Sequence, residues 1–503
     1  MIHELDALRD GFEIEADAVV IGTGAGGAIA AANLAEAGMK VVCLEAGPRV
    51  RPEDMTRDAP KFLAKYFWDG GLRLLEGTAP IPSMQGRCLG GSTVSNSAIM
   101  LKLPDYVRQE WIDDDGLTHL RDEAFDRAFE RVFLETKTAP TPMDVQGPRN
   151  LIIRDALEAM GIDSYPLPRA VDGCKGAADC IVGCASGAKQ SVDRSVLPRA
   201  IEHGAEVYTC AHVDRITMDG DRATGVTGRV VDPDGRRDVA TFTVRAPHVV
   251  VAAGAMGTPV ILQMSRINPG RQVGNNLEAH VAGGVVGVTH EPLHPWIGAS
   301  QGWGAIDPNT PGLKYESLWA DPSVMLVKWG GVGRPFMRRL RDIDHATVGA
   351  VVYRGKTWGS VRPRRDGSPK MKLYIKRSDA HVVLKAMKLM SDGLLRCGAR
   401  YVFPGLMPGV VEEMTSERDT AAMLSPRLHA GHLPMTGNHV FCSCRMTGDP
   451  RTGAVDLDGR VRGTKGLWVC DASLFPSPSA VNPQATVMAM SDLISRGIGG
   501  LAA

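Results

Sequence analysis

The chain is poor in aromatic side chains, 5% of its residues, and has no net charge, with 57 Lys+Arg against 57 Asp+Glu. Charge balance argues against broad electrostatic capture of nucleic acid. Scarce aromatics leave little material for a sugar site built on stacked rings. Long hydrophobic runs are missing too. The most apolar segment, Val249 to Met264, is interrupted by Gly254, Gly257 and Pro259, and it falls short of the ~20 residues a bilayer span needs. No transmembrane helix is expected. The N-terminus has no basic stretch followed by an apolar one, so no secretory signal is read and a cytoplasmic location is expected. There is no repeat at a period of roughly 20–50 residues. Ten cysteines in a chain without a signal read as reduced thiols or ligands rather than as a disulfide framework.

What is present is a 503-residue chain with 44% hydrophobic and 23% charged residues. That is globular composition, with material for two or three domains. Its 57 glycines exceed the usual share of about 7%, and they cluster. Ala18-Val19-Val20-Ile21 reads as a buried parallel strand. A glycine turn follows, then an alanine-rich helix from about Gly26 to Ala37 closed by Gly38, then a second strand from Lys40 to Leu44 ending at Glu45. Gly22, Gly24 and Gly27 satisfy G-x-G-x-x-G. The first permits the tight turn, the second lets a pyrophosphate approach the backbone, and the third lets helix and strand pack closely. Phosphates then sit on unpaired N–H groups at the helix's positive end. Glu45, 18 residues past Gly27, stands where an acid accepts hydrogen bonds from an adenosine ribose. These residues identify a dinucleotide site without choosing between FAD and NAD.

Further along, Thr138 to Pro142 reads as a loop. Val226–Val231 and Val239–Val244 flank Asp232-Pro233-Asp234-Gly235 as a hairpin, and Val361 to Tyr374 makes another, turning at Asp366-Gly367. Ser378 is placed to cap a helix running to about Cys397, closed by Gly398. Parallel-type strands at both ends and hairpins between them point to two interleaved domains, one α/β and one with an antiparallel sheet.

Three more segments carry a family likeness. Gly86-Arg87-Cys88-Leu89-Gly90-Gly91-Ser92-Thr93-Val94-Ser95-Asn96 resembles the first signature of the glucose–methanol–choline (GMC) oxidoreductases. Gly254-Ala255-Met256-Gly257-Thr258-Pro259, followed by Val273-Gly274-Asn275-Asn276-Leu277 and His280, resembles the second. His439 with Cys444-Arg445-Met446, then Asp471-Ala472-Ser473, then Asn482-Pro483-Gln484-Ala485-Thr486, is similar to the family's active-site end. The likeness spans nearly the whole chain and is weakest over residues 283 to 430. It implies a Rossmann-like FAD-binding domain (14–105, 170–282 and 436–503) interleaved with an α+β substrate domain containing an antiparallel sheet (106–169 and 283–435).

It also implies oxidation of a primary or secondary alcohol by proton abstraction and hydride transfer to the flavin. The catalytic pair falls on His439 and Asn482. Cofactor contacts fall on Gly90, Gly91, Ser92, Asn96, Val213, Ala253, Asp471, Ala472, Pro483, Gln484 and Thr486, beside Gly22, Gly24, Gly27 and Glu45. Electrons would pass to oxygen, a quinone or a redox protein. A flavin lyase, or another non-oxidising member of the fold, is the alternative.

The residue chemistry points to the same pair. A base with a pKa near neutrality eases hydride loss from a carbinol carbon, and histidine suits that role. An amide beside it can hold the substrate oxygen without competing for the proton. His432 is the competing histidine; His439 has the family's spacing to Arg445 and Met446. Asn482-Pro483 also reads as the cap of a helix to about Arg496, terminated by Gly497, with Val487, Met490 and Ile494 on one buried face. Aiming its positive end at the flavin would stabilise charge on the reduced ring.

Two departures stand out. Ser95 occupies the position from which some members attach FAD through histidine, so non-covalent FAD is expected. Cys442 replaces the glycine usual after the catalytic histidine, and with Cys444 it could narrow the pocket or fill the core.

Cys174, Cys180 and Cys184 have the spacing C-x5-C-x3-C. Three thiolates can hold an incomplete cubane, and the segment resembles one in cluster-containing glucose dehydrogenases of the family as well as one in long-chain alcohol oxidases. A [3Fe-4S] cluster and three plain thiols both fit the spacing. The stretch Arg334, Arg338, Arg339 and Arg341 reads as a solvated face.

Overall fold

Four consecutive apolar residues with no polar alternation suit a strand covered on both faces, and Ala18–Ile21 is buried along its whole length. The protein is seen in a computed structural model that describes residues 1–326, 329, 332–406 and 412–502. Ala18–Ile21 pairs in parallel with Val41–Leu44 on one side and His248–Val251 on the other. Glu206–Tyr208 and Ile2–His3 extend one edge, and Leu467–Val469 extends the other, giving a six-stranded parallel sheet. The helix Ala25–Glu36 makes the expected crossover, and Gly38 follows it with φ +83°.

The second sheet is antiparallel, also with six strands, in the order Ala399–Phe403, Val281–Thr289, Ala346–Tyr353, Leu313–Ser317, Trp303–Ile306, Tyr165–Pro166. The helices Pro148–Glu158 and Arg377–Arg396 pack on one face, where Leu313, Tyr315, Val351 and Val285 join their core. Alternation along a strand sends Lys314 and Glu316 to the other face. The expected α/β architecture, a Rossmann-like sheet beside an antiparallel one, is therefore present. The expected limits are too simple for 106–169. Its helices Asp105–Asp113 and Glu123–Glu135 bury Trp111, Phe125 and Phe129 in the core of the parallel sheet, while Pro148–Glu158 covers the antiparallel one.

Both expected hairpins form, as Arg222–Val231 with Asp238–Arg245 and Trp358–Pro363 with Pro369–Tyr374. Local expectations fail in four places. The 138–142 loop contains a short strand, Thr138–Pro140, because Pro168–Ala170 offers it a partner. Ser378 lies inside the helix that Lys376 begins, with its hydroxyl on Asp379 rather than on the backbone. The C-terminal helix starts at Gln484 after Pro483, runs through Gly497 to Gly499, and ends on Gly500 at φ +66°. That helix is also buried nearly all round rather than on one face, since Ala25–Glu36 and Glu123–Glu135 pack against it from two sides.

One polar knot holds those three helices. Asp492, 3% exposed, accepts from the amide of fully buried Asn33 at 2.9 Å and from the Arg131 guanidinium at 2.6 Å. Removing the acceptor leaves the buried amide with Ser495 as its one remaining acceptor at 3.0 Å and takes the carboxylate from a half-buried cation. Asp492→Ala is expected to destabilise the protein by about 3 kcal/mol, read as a lower thermal midpoint, whereas Asp492→Asn keeps one acceptor and loses less.

Candidate active site

The first-strand glycines meet other backbone where side chains could not fit. A Cβ on Gly27 would lie 2.0 Å from the Gly22 carbonyl oxygen, and one on Gly26 1.8 Å from that of Cys470. Gly22 itself has φ +94°. Gly24 is different: a Cβ there meets nothing within 4 Å. It caps the helix Ala25–Glu36 without a side-chain hydrogen bond, and no acid stands in that first turn. The helix thus offers open space and unsatisfied N–H groups together, a setting that fits a pyrophosphate.

Thr23 ties this loop to its neighbours. Its backbone N–H and hydroxyl donate to one Glu45 oxygen at 3.1 and 2.7 Å, Gly47 N–H donates to the other at 2.9 Å, and Gly90 N–H donates to the Thr23 hydroxyl at 3.1 Å. Burial pushes the Glu45 carboxyl up against the pull of those donors. Gly91 (φ +55°) stands with its would-be Cβ 3.0 Å from Gly24 Cα, while the Ser92 hydroxyl accepts from Gly86 N–H at 2.9 Å.

The C-terminal segment closes the ring. Asn96 donates to the Gln484 side-chain oxygen and accepts from Ala98 N–H at 2.9 Å. Asp471 spends its carboxylate on Ser473 N–H at 2.8 Å, Gly254 N–H at 2.9 Å and the Thr258 hydroxyl. Its side chain therefore braces the turn Ala472–Leu474 against the helix Gly254–Met264. Ala253 precedes that helix, which packs on the strand Ala211–Asp219 carrying buried Val213. Pro483 caps the last helix without a side-chain hydrogen bond, and the Thr486 hydroxyl in its first turn is buried with no partner. Orphaned donors here and open space at Gly24 fit a flavin dinucleotide.

The two histidines are neighbours by strand register. Glu278–Ala279 pairs antiparallel with Val440–Phe441, Glu278 opposite Phe441 and Ala279 opposite Val440. The next step sets His280 against His439. His280 N–H donates to the His439 carbonyl at 3.3 Å, and the Nδ1 atoms lie 3.1 Å apart with the rings perpendicular, at 86°. His439 is only partly buried, and its Nε2 has no partner among the described residues. Desolvation, aided by the Lys314 charge and opposed by Glu316, lowers its pKa to about 4. His280 is pushed well below its ordinary value by burial and by His439. Nearby, burial lifts Glu278 to about 7 against its contact with Arg445 at 2.9 Å. His432, by contrast, accepts from His429 N–H at 3.2 Å in a surface turn.

Asn482 is not the helix cap. Its side-chain oxygen accepts from Lys314 Nζ, which also donates to Glu316 at 2.6 Å. Sequence reasoning missed both partners. Leu-Lys-Tyr-Glu-Ser alternates like a half-exposed strand, and only the facing domain turns its charges inward.

Cys442 and Cys444 are fully buried in the core, so they fill it. Cys442 sits at φ +69°, which is why glycine suits that position. The cysteine triplet gathers no cluster site. Cys174 and Cys180 share the buried Arg169 guanidinium at 3.9 and 3.3 Å, and Cys184 accepts from Lys189 N–H at 3.4 Å. No group of three or more His, Cys, Asp or Glu is arranged to hold a metal among the described residues, so the [3Fe-4S] expectation finds no support. In the arginine stretch, Arg338 and Arg339 both bind Glu413, and Arg339 is buried over the Phe403 ring. Among the described residues no helix is long and apolar enough to cross a membrane.

Two GMC oxidoreductase family models match, the N-terminal one over residues 17–282 and the C-terminal one over 357–491. The chain belongs to the GMC oxidoreductase family. As a member it is an FAD-dependent oxidoreductase. It is 33% identical to an uncharacterized GMC-type oxidoreductase of Mycobacterium tuberculosis over 94% of this chain and 74% of that one. It is 26% identical to a long-chain-alcohol oxidase of Arabidopsis thaliana over 97% of this chain and 68% of that one. Pyridoxine 4-oxidase from Mesorbium loti shares the GMC fold with a TM-score of 0.72 at 18% identity, covering 97% of this chain and all (100%) of the other.

The glycines separate two effects. Gly24→Ala is expected to fold normally and to weaken FAD binding at least ~10-fold, because its methyl enters the space a pyrophosphate needs. Gly26→Ala drives a methyl into the Cys470 carbonyl and should cost about 3 kcal/mol of stability. Thermal midpoints of the two proteins and fluorescence titration with FAD read the difference.

Proposed function

We propose that the protein oxidises a primary or secondary alcohol to its carbonyl, with His439 taking the hydroxyl proton and Asn482 holding the substrate oxygen. The carrying observation is the pair of open polar atoms. Neither His439 Nε2 nor Asn482 Nδ2 has a partner among the described residues, while the far side of each group is engaged, by His280 and by Lys314. Bound FAD supplies the hydride acceptor. Burial keeps His439 neutral at ordinary pH with a lone pair to offer, although its pKa of about 4 makes it a weaker base than the near-neutral one expected from the sequence. Two neutral imidazoles share one proton across the Nδ1···Nδ1 contact. When His439 donates it, His280 accepts and the lone pair of His439 Nε2 faces the cleft.

FAD is held without a covalent bond in this reading, since Ser95 offers no imidazole, and should leave the denatured protein intact. The likeness to long-chain-alcohol oxidases makes hydrophobic alcohols the first substrates to try. Oxygen, a quinone or a redox protein would then reoxidise the enzyme.

The test is anaerobic mixing with a panel of alcohols while the flavin absorbance is followed. Bleaching by an alcohol is expected, with His439→Ala slowing it roughly 10²–10⁴-fold. No bleaching with any alcohol, or an unimpaired His439→Ala protein, rejects the reading. The acid limb of kcat/KM should fall near pH 4, following the lowered pKa of the base, with activity flat through pH 6.5; a limb at 6.5 would exclude a desolvated His439 as the base.

A further inference from the structure

Lys314 and Glu316 are 2% and 3% exposed, lie two apart on the central strand Leu313–Ser317, and face the candidate active site rather than the helices. Burying an ammonium and a carboxylate is costly, and such a pair adds little to stability compared with apolar residues of similar size. Its geometry suits another task. Glu316 holds the ammonium at 2.6 Å with one oxygen and accepts from Gln301 Nε2 at 3.0 Å with the other. The tethered ammonium donates to Asn482, 168 positions away in the chain.

A primary amide can turn over with little change in shape, exchanging its donor end for its acceptor end. An ammonium has no lone pair, so it accepts only one of those two orientations. The carbonyl oxygen of Asn482 must face Lys314, and its NH2 must face away. That NH2 finds no acceptor among the described residues and is not among the buried polar atoms lacking a partner.

We propose that Lys314, anchored by Glu316, is a positioning residue that fixes the Asn482 amide with its N–H donors toward the oxygen of the reacting alcohol. The proposal rests on the alcohol-oxidising reading of the same site and adds the device that sets its polarity. With the amide reversed, its oxygen would meet the lone pairs of an alkoxide-like oxygen and oppose proton removal. With the amide held, two donors await negative charge as it develops, at no reorganisation cost during the reaction.

The variant to make is Lys314→Met/Glu316→Gln, which removes both charges together and leaves no unpaired ion in the interior. It is compared with Asn482→Ala and with the triple combination. The expected result is flavin reduction slowed about 100-fold in the double variant, with little change in the substrate dependence. In the triple combination no further slowing beyond Asn482→Ala alone is expected, because Lys314 acts through that amide. A double variant that reduces at the parental rate, or effects that multiply fully in the combination, would overturn the proposal.

A second readout needs no turnover. In protein carrying 15N-labelled asparagine, the side-chain amide signal that Asn482→Ala removes should shift in Lys314→Met/Glu316→Gln. If that signal stays put, Lys314 does not orient the amide. Should no alcohol bleach the parent enzyme while the signal shifts, the functional reading fails and the amide clamp stands.

Discussion

The structure depends on a backbone contact that only hydrogen atoms can fill. Helix Ala25–Glu36 lies so close to the strand end at Cys470 that a methyl on Gly26 would overlap the carbonyl there. That approach fastens Leu467–Val469 to the sheet begun by Ala18–Ile21, through the intervening strand His248–Val251. The same fastening carries Asp471, Asn482 and the last helix to the glycine loop. Dispersion and hydrogen bonding can then act between segments more than four hundred residues apart. The cofactor cradle is thus a property of how two remote pieces of backbone touch, and its side chains are consequences of that placement.

A second constraint is division of labour among polar groups. At each point where chemistry is proposed, one end of a side chain is engaged by the protein and the other is left open. His439 is held through Nδ1 and Asn482 through its oxygen. A side chain fixed at one end loses its rotamer freedom on folding rather than on binding substrate, which is the content of preorganisation. Asp471 shows the other outcome: its carboxylate joins a turn to a helix through Ser473, Gly254 and Thr258.

The nucleotide end of the site was legible in the sequence because its determinants are local. Gly22, Gly24, Gly27 and Glu45 lie within one strand–helix–strand unit, and each residue type reports its own steric or hydrogen-bonding demand. His439 and Asn482 were picked out through their spacing to neighbours, and their catalytic roles remain proposals. Lys314 and Glu316 were not, because the direction in which a strand presents its charges is decided by what packs against it. The capping role read for Asn482 failed for a related reason, since an ammonium from a distant strand competes for the same oxygen. In the cysteine triplet, spacing along a loop carries no information about Arg169, which arrives from the preceding strand and puts its guanidinium on two of the three thiols.

The order in which the sheet is threaded has a bearing on biogenesis. Its interior strands are translated early, yet one edge strand, Leu467–Val469, and the helix Gln484–Gly499 emerge from the ribosome only after the entire antiparallel domain. Until then the nascent glycine loop lacks the wall against which it packs, and the flank of His248–Val251 remains an unpaired edge. Such sequence-distant pairing is slow to form and leaves edges open to aggregation while it waits.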